Sequence, residues 1–296
     1  MILDTLKILV PLFFVIGGGF AFSKLFSISE DTIVRLVTDF FMPLLVFDSL
    51  YRTTNSPEEI AHIAGSTILV VGLLLLLSLL YGKLLRVDLR YFIPPVIFMN
   101  SGFLGIPLMQ LWGGNLPMSM IVIYDQIQTF MIFTLGILIV TGGISLAGLK
   151  ETIKSPLLWA IVLGFTFRFA NIHVPELALK TMEFAGAPAP ALAAFAVGCS
   201  LSKRRVKLDI HLLSGIILRS VFGFLAGYIA VKIFDITGVL KTVIIVASSL
   251  PSAVLSYVLP VRYGVKAEHP SSMIFVTSLL SIATIPLSFY LASLLP

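Results

Sequence analysis

A chain of 296 residues that is 58% hydrophobic and 12% charged, with a mean hydropathy of +1.05, is not a soluble domain, which would carry roughly 25% charged residues. Its net charge of +5 does not point to nucleic acid, because the basic residues sit in loops beside apolar segments, the usual topology bias of membrane proteins. The single cysteine, Cys199, excludes an internal disulfide and any multi-cysteine metal site.

The apolar runs are ~20 residues long and suit helices crossing a ~30 Å hydrocarbon core. The short alternating segments of a membrane β-barrel do not occur in the sequence. The predicted fold class is an all-α polytopic membrane protein with ten spans, near 4–24, 31–52, 60–84, 91–112, 117–143, 156–172, 175–201, 208–234, 239–262 and 270–295. The connecting loops are too short for a soluble domain.

Span 1 has no clearly basic front end and no small-residue cleavage site after it, so it reads as a helix and not as a signal peptide. Its Gly17-Gly18-Gly19 lacks the strand and lysine of a phosphate loop and suits packing. Span 2 carries Asp39 one turn before Pro43, and Asp48 near its other end. Asp39 either faces an internal cavity or pairs with Arg35, the pair being favoured; for Asp48 a solvated helix end is favoured.

Span 4 contains NSGFLGIP, from Asn100 to Pro107, and span 9 contains Ser248-Ser249-Leu250-Pro251-Ser252. Proline removes an N–H and clashes with the preceding turn, and glycine lowers helix propensity, so both helices are predicted to break. Unwound backbone at membrane depth survives only inside protein or along a wet cavity. Its free N–H groups and the positive end of a half-helix can hold an anion without a buried lysine.

Span 5 carries Asp125, with Gln128 three and Thr129 four residues on, all on one helical face. An ionisable residue inside a membrane is a functional candidate by default. Asp125 is a candidate for binding a proton or a sodium ion, or for a structural acid. Arg219 in span 8 can attract anions, pair with an acid, or snorkel to headgroups. Ser278 and Ser281 in span 10 fit close helix packing. The four histidines form no metal constellation, no nucleophile–base pair suggests an enzyme, and no cofactor is expected.

The halves 1–148 and 149–296 resemble each other. Pro11 and Gly19 match Pro156 and Gly164, each 145 residues on; Pro107 matches Pro251, 144 residues on; Pro43 has a counterpart in Pro190. Five spans per half make the second repeat inverted, and paired interruptions in inverted repeats are a pointer to a transporter's binding site. Lys and Arg favour the odd-numbered loops by thirteen to six, with Lys203-Arg204-Arg205 the densest cluster. The positive-inside bias then puts those loops in the cytoplasm and both termini outside.

These residues carry a family resemblance. Asn100 to Leu108 resembles the N-T-x-x-x-G-I-P-L motif of the fourth helix of the plant PIN carriers. Ser249-Leu250-Pro251-Ser252 with Tyr263-Gly264-Val265 resembles the L-P-Q…E-Y-x-V run of the ninth helix. Met42-Pro43-Leu44-Leu45-Val46-Phe47 resembles the V-P-L-L-S-F of the second. Ser155-Pro156 and Val197-Gly198 also fall where that family has similar residues. The chain is similar throughout to the auxin efflux carrier family, which includes bacterial dicarboxylate permeases, in a compact prokaryotic form.

The resemblance implies a scaffold from helices 1, 2, 6 and 7 and a transport unit from helices 3–5 and 8–10, with broken helices 4 and 9 crossing as in bile-acid symporters. It also implies elevator-type movement of small organic anions, mono- or dicarboxylates such as malate or malonate, and a homodimer in the cell membrane. Asn100 takes the position of the family's substrate-binding asparagine, while Ser252 replaces a glutamine. The expected substrate site is Asn100, Ser101, Gly102, Pro107, Ser249, Pro251 and Ser252. Asp125, Gln128 and Asp39 are the expected coupling or polar-wall residues. A sodium-coupled bile-acid-type symporter and a membrane anion sensor without flux are the alternatives.

Overall fold

A computed structural model describes residues 2–141, 153–204, 206–265 and 268–295. The boundary between the two expected halves lies outside the described residues, as do Lys150, Arg205 and Lys266. Helix α1 is Ile2–Leu25. Helix α2 runs through Glu30–Leu36, a π turn at Val37–Phe41, and Met42–Tyr51. Helix α3 is Pro57–Leu85, followed by α4 (Leu89–Ile97) and, after a π turn at Ser101–Gly105, α5 (Ile106–Gly113). Then come α6 (Asn115–Thr141), α7 (Pro156–Phe169), α8 (Glu176–Ser202) and α9 (Ile210–Ile233). Helices α10 (Gly238–Ser249), α11 (Leu255–Arg262) and α12 (Glu268–Leu294) complete the chain.

Helices α3, α6, α8, α9 and α12 are each long and apolar enough to cross a bilayer. At about 1.5 Å per residue, the 29 residues of α3 more than span a ~30 Å core. The start of α3 is written locally. Ser56 accepts from the Glu59 N–H at 3.1 Å, while the Glu59 carboxylate accepts from the Ser56 N–H at 2.7 Å, and Pro57 takes the first helical position, where no donor is needed. Within α3, the Thr67 and Ser78 hydroxyls donate back to the Ile63 and Leu74 carbonyls, so neither presents an unpaired polar atom to the apolar interior. Large apolar side chains such as Phe14, Leu84 and Phe184 point outward, as suits a chain whose solvent is lipid.

Helices α1, α2, α7 and α8 pack largely on one another, as do α3, α4, α6, α9, α10 and α12. The α1–α8 approach needs glycine: a Cβ at Gly19 or Gly198 would run into the backbone of Phe195 or Ile16. That is why one member of the Gly17-Gly18-Gly19 run matters for packing, whereas the other two meet nothing.

Both predicted breaks occur, the first several residues upstream of its proline and the second at its proline. The first is the non-helical stretch Phe98 to Asn100, upstream of the glycines. Gly102, Gly105 and Pro107 lie in the π turn and the first turn of α5. The Gly105 N–H reaches back to the Asn100 carbonyl at 3.1 Å, so the wider π turn keeps the chain hydrogen-bonded just before a proline. The second break runs from Leu250 to Val254.

Candidate functional site

The two breaks meet. Met99 and Ser252 form an isolated antiparallel bridge. The Asn100 N–H donates to the Pro251 carbonyl at 2.8 Å, and the Ala253 N–H donates to the Phe98 carbonyl at 2.9 Å. Each unwound segment therefore supplies partners for the other, which is how exposed backbone is tolerated at this depth.

Side chains complete the crossing. Gln128 on α6 brackets Met99, accepting from its N–H at 3.0 Å and donating to its carbonyl at 2.6 Å. The same amide donates to the Ser101 hydroxyl at 3.0 Å, which in turn donates to Asp125 at 2.7 Å. The second oxygen of Asp125 accepts from Gln126 at 3.1 Å, and the Gly102 N–H also bonds this carboxylate. An internal carboxylate thus occupies the anion-attracting start of the π turn and α5. On the other strand, the Ser252 hydroxyl donates to the Pro95 carbonyl at 2.6 Å and its N–H donates to Thr277 at 3.1 Å.

Beside the crossing lies a cavity of about 660 Å³, a size suited to a small ligand. Asn100, Gly102, Asp125, Gln128 and Thr129 form one wall, and Thr38, Asp39 and Met42 of α2 face them with Pro156 and Leu157 of α7. Arg35 and Lys154 add positive charge. Asn100 is 3% exposed, and its side-chain NH₂ has no hydrogen-bond partner. A buried amide donor beside a cavity is costly to leave unpaired.

Family comparison agrees with this architecture. A family model described as "Membrane transport protein" matches residues 5–148 and 141–290. The chain belongs to this family, the auxin efflux carrier-like transporters. Among its relatives, a protein of Methanothermobacter thermautotrophicus named as an uncharacterized transporter is 28% identical, with 87% of each chain covered. Another, from Methanocaldococcus jannaschii and likewise named as an uncharacterized transporter, is 26% identical over 95% of this chain and 96% of its own. The protein is accordingly an integral membrane transporter.

Within this transporter the expected site residues separate into two sets. Asn100, Gly102, Asp125, Gln128 and Asp39 line the cavity. Ser101, Pro107, Ser249, Pro251 and Ser252 build its support instead: Ser101 is spent on Asp125, Ser249 donates to the Ile245 carbonyl at 2.7 Å, the Pro251 carbonyl holds Asn100, and Pro107 is buried in α5. The favoured Asp39–Arg35 pair does not form. Arg35 binds Asp31 at 3.0 Å, while Asp39 accepts from Thr38 at 2.9 Å and lines the cavity. An acid four residues before a helical cation is the better-oriented partner, so Asp31 wins. Asp48 is not a free solvated end, since Arg52 binds it at 2.8 Å. The Arg204 side chain of the basic cluster is 5% exposed, with Glu30 at 3.3 Å and the Tyr257 ring 3.8 Å away.

Sequence reasoning missed the task of Arg219. It does not snorkel, and among the described residues it pairs with no acid. Fully buried, it donates to the Val96 carbonyl at 2.9 Å and to the Ser248 carbonyl. The available signal was Arg219-x₃-Gly223-x₃-Gly227 on α9. A Cβ at Gly223 would collide with the guanidinium and with the Ser248 carbonyl, and one at Gly227 with the Ser248 side chain.

Proposed function

We propose that this protein moves small organic anions, mono- or dicarboxylates such as malate or malonate, with the carboxylate bound beside the crossing of the two broken helices. The observation that carries this reading is the unpartnered Asn100 amide on the wall of the 660 Å³ cavity. A carboxylate oxygen would accept its hydrogen bond, and charge-assisted bonds of this kind are roughly twice as strong as neutral ones. Arg35 and Lys154 offset the charges of Asp39 and Asp125 in the cavity lining, so the acids there do not leave it net negative.

The cavity separates the α2–α7 side from the crossing and α6. In our reading the chain forms ten spans as two inverted five-helix halves. The group α1, α2, α7 and α8 serves as the scaffold, and the crossing moves against it as an elevator. Arg35 and Lys154 belong to the loop side assigned to the cytoplasm by charge, so the cavity corresponds to an inward-open state with both termini outside. Two copies join through the scaffold, as the family resemblance implies.

Asp125 is ringed by donors from Ser101, Gln126 and Gly102. Donors favour the ionised carboxylate, so that surround suits a fixed negative wall, and it lacks the converging oxygen lone pairs that a sodium cage needs. A sodium-coupled symporter therefore ranks below proton coupling in this reading.

The test is uptake of radiolabelled malate and malonate into proteoliposomes, with proton and sodium gradients imposed separately. Saturable uptake driven by a proton gradient is the expected result. Uptake that never saturates, or anion binding without flux, would overturn the transport mechanism in favour of a pore or a sensor.

A further inference from the structure

We infer that Arg219 is the positioning residue of the crossing: its guanidinium fork ties the ends of α4 and α10 together and so fixes the two unwound strands that present Asn100. The inference rests on the anion-site reading for what the crossing is for, but its geometry is independent of any substrate.

Both α4 and α10 end at the crossing, at Ile97 and Ser249. A helix end leaves four carbonyls without intrahelical partners and carries a partial negative charge. Two such ends converge here in a dry interior. Five of these carbonyls find partners in the chain's own continuation, the opposite strand and α9. Pro94 accepts from the Phe98 N–H, Pro95 accepts from the Ser252 hydroxyl, and Val96 accepts from Arg219. On α10, Ala247 accepts from the Leu250 N–H and Ser248 accepts from Arg219. Arg219 is the group that bonds both ends at once.

Among the described residues no carboxylate pairs with Arg219, and its nearest titratable neighbour is Tyr124, whose hydroxyl lies 3.5 Å from the Ser248 hydroxyl. A buried cation without a counterion is costly unless dipoles and hydrogen bonds replace water. Two helix C-termini supply acceptors for the two NH₂ groups of Arg219, while its Nε–H is left without one. The planar fork matters, since its two NH₂ groups point in different directions toward different helices; a lysine ammonium is a single point. The local backbone is arranged for the task. Arg219 sits on a π turn, Leu218–Phe222, and Gly223 leaves the space in which the guanidinium meets Ser248.

The deciding measurement is amide hydrogen exchange on the full chain in lipid nanodiscs, comparing wild type with Arg219→Gln and Arg219→Lys. The reporters are the Asn100 and Ala253 amides, which bond across the crossing, with α1 and α8 as internal controls. Loss of a hydrogen bond to a charged group predicts exchange at those two amides faster by on the order of tenfold or more in Arg219→Gln. The controls should not change, and Arg219→Lys should exchange much faster than wild type at the same amides. Three results would overturn the inference: wild-type exchange at the crossing in Arg219→Gln, full restoration by Arg219→Lys, or equal acceleration in α1 and α8. Where Arg219→Gln does not fold, Arg219→Lys alone decides by the last two criteria. Anion uptake by Asn100→Ala tests the site reading separately, so each can fail without the other.

Discussion

The two broken helices are similar in sequence position and unlike in what they do. At the first, between α4 and α5, Asn100 and Gly102 line the cavity and Asp125 and Gln128 of α6 stand beside them. At the second, between α10 and α11, the polar atoms turn inward: Ser249 onto its own helix, Ser252 onto Pro95 and Thr277. The first break keeps a donor unspent, while the polar side chains of the second are satisfied. Both strands line the cavity, the second through apolar Ala253 and Val254; under the proposed function, polar contact with the ligand falls to the first strand, which the second holds in place. Substitutions in the two strands should then differ in kind: the first should change transport, the second stability.

The largest effect is expected where the two roles meet. Gln128→Ala orphans the N–H of buried Met99, at ~1–3 kcal/mol, and removes one donor each from the Met99 carbonyl, which keeps the Ser101 N–H, and from the Ser101 hydroxyl. Thermal unfolding in detergent should show a marked loss of stability, and uptake should fall with it. An unchanged midpoint would mean that the crossing does not depend on α6.

Ser252→Ala should cost less, because only the Pro95 carbonyl loses its partner. We expect about 1–3 kcal/mol of destabilisation with the half-saturation for anion uptake unchanged. A raised half-saturation with normal stability would show that the second strand touches ligand and would break the comparison.

Gly102→Ala sharpens it from the other side. A methyl group there would lie 3.1 Å from both Asp125 oxygens, tighter than ordinary contact. It should raise the half-saturation several-fold with little loss of stability, measured on the same proteoliposomes.

The smallest effect is remote from the site. Asp88 caps α4, accepting from the Arg90 N–H at 3.0 Å and from its side chain. The Arg90 guanidinium holds this carboxyl below its usual range. A depressed native pKa stabilises the folded state above the unfolded value of about 3.9, and that contribution is lost as pH falls through the lower native value. Asp88→Ala should cost ~1 kcal/mol as a lost helix cap, and the difference between variant and wild type should narrow in acid. A constant difference down to low pH would remove the ion pair from the account.

Much of this was legible in the sequence because the bilayer makes strict demands. Helices occupy the predicted spans, and Gly and Pro clusters announced both interruptions. Asn100, Asp125 and Gln128 stood out as polar residues where hydrocarbon was expected. Less legible was the direction in which short polar side chains point. Ser101 and Ser252 resemble ligand groups in one dimension, yet backbone carbonyls and a neighbouring acid take them first. Arg219 was hard to read for a similar reason: the glycines at 223 and 227 hint at close packing, but its partners, Val96 and Ser248, are distant in sequence and are contacted through main-chain atoms that any residue would supply. The Asp31–Arg35 pair was within reach, since Arg35 has an acid four residues away on both sides and the N-terminal one is favoured.

The most direct measurement is saturable malate and malonate uptake into proteoliposomes by Asn100→Ala and Ser252→Ala, side by side with wild type and with folding checked on the same samples. The account predicts that Asn100→Ala folds normally, since it removes an unpartnered amide, but loses apparent affinity by roughly tenfold or more. Ser252→Ala should keep its affinity and lose stability. Wild-type uptake by Asn100→Ala, or lost affinity confined to Ser252→Ala, would contradict the claim that the first strand holds the anion.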